Sequence, residues 1–231
     1  MGSRISVITP WCGSTAHLVA DYDDAVRGFD EVIVIDNASD EETADSLCLL
    51  AGCSGWAYIR NNHNAGFSAA NNQGYQRATG DIILFANSDI MAPVRGLDDA
   101  VRKDVKDGAL YGPSLGQQCV WGMQFGYVEG WCIAATRATW DRLITGSNVG
   151  PWDAVSYPRF YWEDNDLGLR ALLADFGLVQ TPWTKQRMLV HKGGQSTGPA
   201  VRHGDIYEQG RATFAARARV AWEETVKEGG R

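Results

Sequence analysis

The sequence has 231 residues, 45% hydrophobic and 21% charged, which suits one domain of ordinary size with its own core and excludes wholesale disorder. With 21 Lys and Arg against 28 Asp and Glu, the net charge of −7 provides no general field for nucleic acid or an anionic membrane.

In chain order, short apolar runs alternate with helical patterns, the signature of βαβ units around a parallel sheet covered on both faces. Strands are predicted at Arg4–Thr9, Glu31–Ile35, Trp56–Arg60 and Asp81–Ala86. Between the first two, Leu18, Val19, Tyr22, Ala25, Val26 and Phe29 recur at helical spacing. Helices follow over Thr43–Leu50 and Ser68–Arg77, the second weakened by Gly74. Val94–Val105 predicts another helix and Ala109–Tyr111 another short strand. The rhythm then changes. Val120–Tyr127 and Trp131–Ala135 read as paired strands, Ala138–Ile144 and Leu167–Phe176 as helices, and Gly146–Pro158 as a loop of functional length. The segment Asp205–Glu228, with Ile206, Phe214, Val220 and Trp222 among many alanines, is expected to close the fold as an amphipathic helix. Nine tryptophans exceed what packing alone needs, and for each a core place and a ligand-facing place stay open.

In an open α/β sheet, ligands sit outside the carboxyl ends of the strands. Here Thr9 and Pro10, Asp36 and Asn37, the stretch 61–66, and Asn87, Ser88 and Asp89 end or follow four consecutive strands, so polar groups converge on one edge. Neither G-x-G-x-x-G nor G-x-x-x-x-G-K-[ST] is present, which argues against a dinucleotide dehydrogenase and a P-loop enzyme. A carboxylate-held Mg2+ or Mn2+ is the natural alternative for neutralising phosphate, and Asn87-x-Asp89 at a strand end fits that need. The five cysteines, Cys12, Cys48, Cys53, Cys119 and Cys132, form no C-x-x-C pair, so reduced thiols and a cytoplasmic setting are expected. No run approaches the roughly 20 apolar residues of a transmembrane helix, and no signal peptide is expected.

Three stretches in order, V-I-V-I-D-N-A-S-D (32–40), N-N-H-N-A-G-F (61–67) and G-D-I-I-L-F-A-N-S-D (80–89), resemble the nucleotide-sugar half of family 2 glycosyltransferases of the GT-A fold. Y-W-E-D-N-D-L (161–167) is similar to that family's acceptor-side E-D-x-D-L motif, and H-K-G-G-Q-S (191–196) to its late H-x-G-G-x-S element. The resemblance spans about residues 4–197 and implies one GT-A domain: a Rossmann-like, mostly parallel sheet flanked by helices, with a smaller acceptor-side β region and a C-terminal helix. Residues 1–112 would be the nucleotide-sugar half, 113–200 the acceptor half and 201–231 the closing helix.

Carried over residue by residue, the resemblance implies that Asp36 accepts a hydrogen bond from the donor's base, with Thr9 and Pro10 beside it. Asn64 and Gly66 would form the turn whose backbone approaches the nucleotide, where a side chain at Gly66 would obstruct. Asp89 resembles the metal ligand of the D-x-D signature, flanked by Ser88 and by Asn87 where many members carry Asp. His191 would add a nitrogen ligand, suited to Mn2+. Gly130 and Trp131 would lie under donor sugar and acceptor, with Trp131 and Trp162 as aromatic platforms. Gly193 and Gly194, followed by Ser196, Thr197 and Gly198, suggest a segment that closes over the diphosphate.

The chemistry this implies is inverting, hexosyltransferase-like transfer from a nucleoside diphosphate sugar to a hydroxyl. Asp164 would be the general base, its carboxyl made more basic by Phe160, Tyr161 and Trp162. Glu163 would hold acceptor hydroxyls, and Asp166 would cap or salt-bridge a helix starting near Leu167. Two alternatives remain: a sugar-phosphate nucleotidyltransferase, and a nucleotide-sugar binding module without turnover. The acceptor (a glycan, a protein or a modified nucleobase), the donor base and the oligomeric state are open at this stage.

Overall fold

Alternate residues of the first strand face opposite sides of the sheet, and both sides are apolar. Ile5 and Val7 enter one buried cluster and Ile8 the other, each wholly buried. This two-sided demand for cover is what a parallel sheet meets with helices on both faces. The computed structural model describes residues 2–121, 123–193 and 203–229. In it the main sheet has seven strands: β1 (Ile5–Trp11), β2 (Glu31–Asp36), β3 (Ala57–Arg60), β4 (Ile82–Ala86), β6 (Ala109–Gly112), β9 (Cys132–Thr136) and β10 (Gly177–Gln180). Their order is β10-β6-β9-β4-β1-β2-β3, and only β9 runs against its neighbours.

The chain builds outward from β1 to β2 and β3, then crosses back to place β4 on the other side of β1. The carboxyl ends of β1 and β4 therefore flank the point where strand order reverses, the crevice where open α/β sheets bind ligands. Helices α1 (Val19–Val26), α2 (Glu41–Ser54) and α4 (Leu97–Asp104) cover one face. Helices α3 (Phe67–Arg77), α5 (Arg137–Asp141) and α6 (Glu163–Leu173) cover the other. At Gly74 α3 lies close against the sheet: a Cβ there would lie 2.2 Å from Ile8 Cγ2. The residue that weakens the helix in isolation is thus what allows it to pack. Trp11, Trp140, Trp152 and Trp183 are fully buried, so much of the tryptophan surplus serves the core.

Several expectations are corrected. Val120–Tyr127 is not one strand: it straddles the turn between β7 (Leu115–Val120) and β8 (Met123–Val128), which pair with each other. The run Trp131–Ala135 does not pair with that hairpin; as β9 it joins the main sheet between β4 and β6. Helix α6 begins at Glu163 rather than near Leu167, so the acidic run forms its first turn. Two short strands, β5 (Ile90–Met91) and β11 (Val190–His191), form an antiparallel ribbon at the carboxyl edge.

The last helix, α7 (His203–Gly229), docks on α6 and the β7–β8 hairpin through Phe214, Ala218 and Ala221, which cluster with Phe125, Trp162 and Leu169. Among the described residues no helix is long and apolar enough to cross a membrane. Docking is reinforced by Arg217, whose guanidinium pairs with the Asp166 carboxylate and, at 2.6 Å, with Asp153, both almost fully buried. Asp166 also receives Arg170 Nε at 2.8 Å, the salt-bridging role expected of it. Arg217→Ala leaves two buried carboxylates undercompensated. Because the guanidinium is itself 35% exposed, the expected loss is at the low end for a buried pair, about 2 kcal/mol in urea denaturation.

Candidate active site

At the end of β2, Asp36 is wholly buried and both of its oxygens are engaged. Oδ1 accepts the Ser39 N–H at 2.8 Å, and Oδ2 accepts the Tyr58 hydroxyl at 2.7 Å with Arg60 Nε at 3.6 Å. Thr9 is also wholly buried, its Oγ1 accepting from the Tyr22 hydroxyl at 2.6 Å, while Pro10 is partly exposed at the strand end. Asn37 is the hub of this corner. It donates to Asn64 Oδ1 at 2.8 Å and accepts from the Ala65 N–H at 2.9 Å and from Asn61 Nδ2 at 3.1 Å. Asn64 in turn donates to Cys12 Sγ at 3.2 Å, tying the ends of β1, β2 and β3 together. The strand-end pattern singled out Asn37 only as a neighbour of Asp36.

Gly66 needs a correction of cause. Its φ is +90°, and a Cβ would lie 2.1 Å from the carbonyl oxygen of Pro158. The adjacent Phe67 N–H donates to the Arg159 carbonyl at 2.8 Å. Protein backbone from the 146–159 loop therefore fills the space at Gly66 and takes up this donor of the α3 N-terminus.

At the end of β4, Asn87, Ser88 and Asp89 turn into β5. The β5–β11 register sets His191 opposite Ile90, and this brings His191 Nε2 to 3.1 Å from Asp89 Oδ1. Trp131 stacks on the His191 ring with centroids 4.6 Å apart and planes 2° from parallel, which fixes the imidazole's orientation. The Trp131 carbonyl accepts the Asn87 N–H at 2.9 Å, and its indole donates to Glu129 at 3.1 Å. Trp131 is thus a partner of the Asp89–His191 pair.

Tyr161 and Trp162 lead into α6 with φ of 75° and 73°, two successive bulky residues in the left-handed region. Each costs roughly 1–2 kcal/mol, strain of the kind that collects at functional sites. The turn sends Trp162 inward, where it stacks on Phe214 at 5.3 Å and is 6% exposed. Trp162 is therefore a core residue joining α6 to α7, and the expected acceptor platform at this position is corrected.

Beyond it, Asp164 Oδ2 accepts the Gly130 N–H at 3.1 Å and Oδ1 accepts the Asn165 N–H at 2.8 Å. Burial raises the Asp164 carboxyl to about 6, against the pull of those N–H groups. Glu163 is 9% exposed, and its Oε2 has no hydrogen-bond partner among the described residues. Burial, then the charge of Asp164, pushes Glu163 up to about 8.

A carboxyl whose pKa is raised on folding makes the folded state bind protons more tightly. Its contribution to stability therefore falls as pH climbs from the unfolded to the folded value, here from about 4.5 to about 8. Glu163→Gln is expected to gain on the wild type across that window, by on the order of 2 kcal/mol at pH 8 relative to pH 5, in urea titrations at the two pH values.

The two clusters share one loop. Gly130 binds the Asp164 carboxylate, and the next residue, Trp131, stacks on His191 and binds Asn87. Asp164 on one side and the Asp89–His191 pair on the other are thus joined through the neighbouring residues Gly130 and Trp131. As a test for a divalent cation, two ligands about 2.1 Å from an octahedral ion stand about 3 Å apart on adjacent corners, close to the Asp89–His191 separation. Asn87, two residues before Asp89, has its Oδ1 buried and without a hydrogen-bond partner among the described residues. Among those residues no three His, Cys, Asp or Glu side chains converge, so the protein offers a carboxylate, an imidazole and an amide, a set that diphosphate oxygens would complete. Of the expected closing segment Gly193 is described, with φ +67°, while residues 194–198 lie outside the described residues.

The sheet order, the reversed β9 and the paired clusters at the carboxyl edge define a glycosyltransferase-type α/β fold of the GT-A class. Residues 6–116, just under half of the chain, match the family model described as Glycosyl transferase family 2. No curated protein matches the chain. Among solved structures, the mannosyltransferase PcManGT from Pyrobaculum calidifontis, in complex with GDP-Man and Mn2+, is similar at 17% identity and a TM-score of 0.60. That match covers 79% of this chain and 55% of PcManGT. GalNAc-T7 with UDP, GalNAc and Mn2+ is similar at 13% identity and a TM-score of 0.64, covering 87% of this chain and 46% of the other. The chain thus spans about half the length of these two proteins.

Proposed function

We propose that this protein transfers a sugar from a nucleoside diphosphate sugar to an acceptor hydroxyl, with inversion at the anomeric carbon and dependence on a divalent cation. The observation that carries the reading is the shared loop, with Gly130 on Asp164 and Trp131 on His191, which stands 3.1 Å from Asp89. The solved relatives hold Mn2+ with GDP-Man or with UDP, which supports a cation and a nucleotide sugar here.

In this reading Asp89, His191 and Asn87 hold the cation, which when bound neutralises the charge of the departing diphosphate. Thr9, Pro10, Asn64, Gly66 and Ser88 shape the donor corner. Asp36 acts there through Tyr58 and the Ser39 N–H, as a positioning group whose charge also polarises the Tyr58 hydroxyl. Asp164 takes the proton from the acceptor hydroxyl while that oxygen attacks the anomeric carbon opposite the diphosphate. Its raised basicity suits the task, since a base works best with a pKa near the working pH. Glu163, beside it, binds acceptor hydroxyls through the unpartnered Oε2. One displacement with one base inverts the anomeric centre.

The test is to incubate the protein with Mn2+, an acceptor panel and UDP-, GDP- and dTDP-sugars. Nucleoside diphosphate release that chelation abolishes is the expected result. Pyrophosphate release from nucleoside triphosphates, or no turnover of any donor, contradicts it.

A further inference from the structure

With Trp162 turned into the core and Trp131 occupied by His191, the aromatic surface beside Glu163 and Asp164 must come from other residues. Three tyrosines supply it. The left-handed turn that buries Trp162 leaves Tyr161 37% exposed, and Tyr207, from the first turns of α7, is 42% exposed. Their rings meet edge to face at 5.7 Å, and Tyr207 also lies 5.3 Å from Trp162, directly before Glu163. Tyr127, on β8, is the third. Its ring lies over Gly116, where a Cβ would come within 2.1 Å of it. Gly168 of α6 packs equally tightly on the Tyr127 backbone, its absent Cβ 2.5 Å from Tyr127 Cβ. Burial, then the charge of Asp164, pushes the half-buried Tyr127 phenol up, which puts it within electrostatic range of that carboxylate.

We propose that Tyr127, Tyr161 and Tyr207 form the acceptor subsite, a shelf for an uncharged saccharide ring whose hydroxyls meet Glu163. The inference rests on the glycosyl-transfer reading and names its acceptor class. Aromatic rings present flat apolar faces to the C–H groups of a sugar ring. The Glu163 Oε2, buried and without a hydrogen-bond partner among the described residues, is the polar group such a ring would satisfy. Glu129 and Asp164 together disfavour an anionic acceptor, which counts against a nucleic-acid base carried on phosphates.

The test is saturation-transfer NMR on the full chain with glucose, galactose, mannose, N-acetylglucosamine, cellobiose and lactose as probes, and UDP or GDP with Mn2+ as the donor-side control. At least one saccharide should bind through its ring C–H groups. Tyr161→Ala and Tyr207→Ala should each weaken it about tenfold, the scale of one lost stacking contact. Tyr207→Phe should stay within about threefold, and nucleotide affinity should not move in any variant, which also certifies folding. If nucleotide binds and no saccharide does, or if saccharide affinity survives both alanine changes, the shelf is refuted while donor binding stands. Binding of a Ser/Thr peptide in place of every saccharide refutes it as well. If neither nucleotide nor saccharide binds, the glycosyl-transfer reading falls and the shelf with it.

Discussion

Asp164→Asn should lower kcat by on the order of 10^3-fold while leaving the affinity for Mn2+ and nucleoside diphosphate unchanged. The asymmetry follows from position: Asp164 touches Gly130 and Asn165, whereas the Asp89–His191 pair is held from β5 and β11. The wild-type pH profile carries the same signature. The base works deprotonated, so kcat/KM should climb with pH and level off above about 6, the raised value of this carboxyl. The residual activity of Asp164→Asn should lack that inflection. Steady-state kinetics from pH 5 to 8, with calorimetric titration of the nucleotide, separate the two effects. Undiminished turnover in Asp164→Asn would remove the base from the account.

Asp89→Ala should have the complementary phenotype. The carboxylate is the only charged group in the set that Asp89, His191 and Asn87 offer a cation. Its loss should weaken Mn2+-dependent nucleotide binding by at least about 100-fold, on the order of 3 kcal/mol. Binding measured in EDTA should hardly change. His191→Ala should lose less, since it removes a neutral ligand and the stacking partner of Trp131. Nucleotide affinity with Mn2+ equal to wild type in Asp89→Ala would show the cation to be elsewhere.

Local pattern and long-range packing divide what the residues disclose on their own. The first four strands are legible because each is a short apolar run bounded by turn chemistry, and their polar ends mark the binding edge without further information. Asp89 and His191 are visible as types, but their 3.1 Å approach depends on a ribbon of two residues per strand, too short to carry any periodicity. The reversed place of β9 between β4 and β6 is likewise silent, since an apolar run reads the same in either direction. Trp162 looks like a platform until Phe214, about 50 residues further on, covers its face. Gly66 signals a tight backbone approach, yet the approaching group is Pro158 in a distant loop. The tyrosines at 127, 161 and 207 come from three elements, so no local window unites them.

The central claim, one sugar held between the Asp89–His191 pair and Asp164, is tested most directly by the anomalous scattering of Mn2+ in crystals grown with a turnover-competent nucleotide sugar. The predicted map has its peak bonded to Asp89 and His191, with the anomeric carbon between the diphosphate and the Asp164 carboxylate. A peak away from Asp89, or a sugar ring turned from Asp164 toward another side chain, would contradict it.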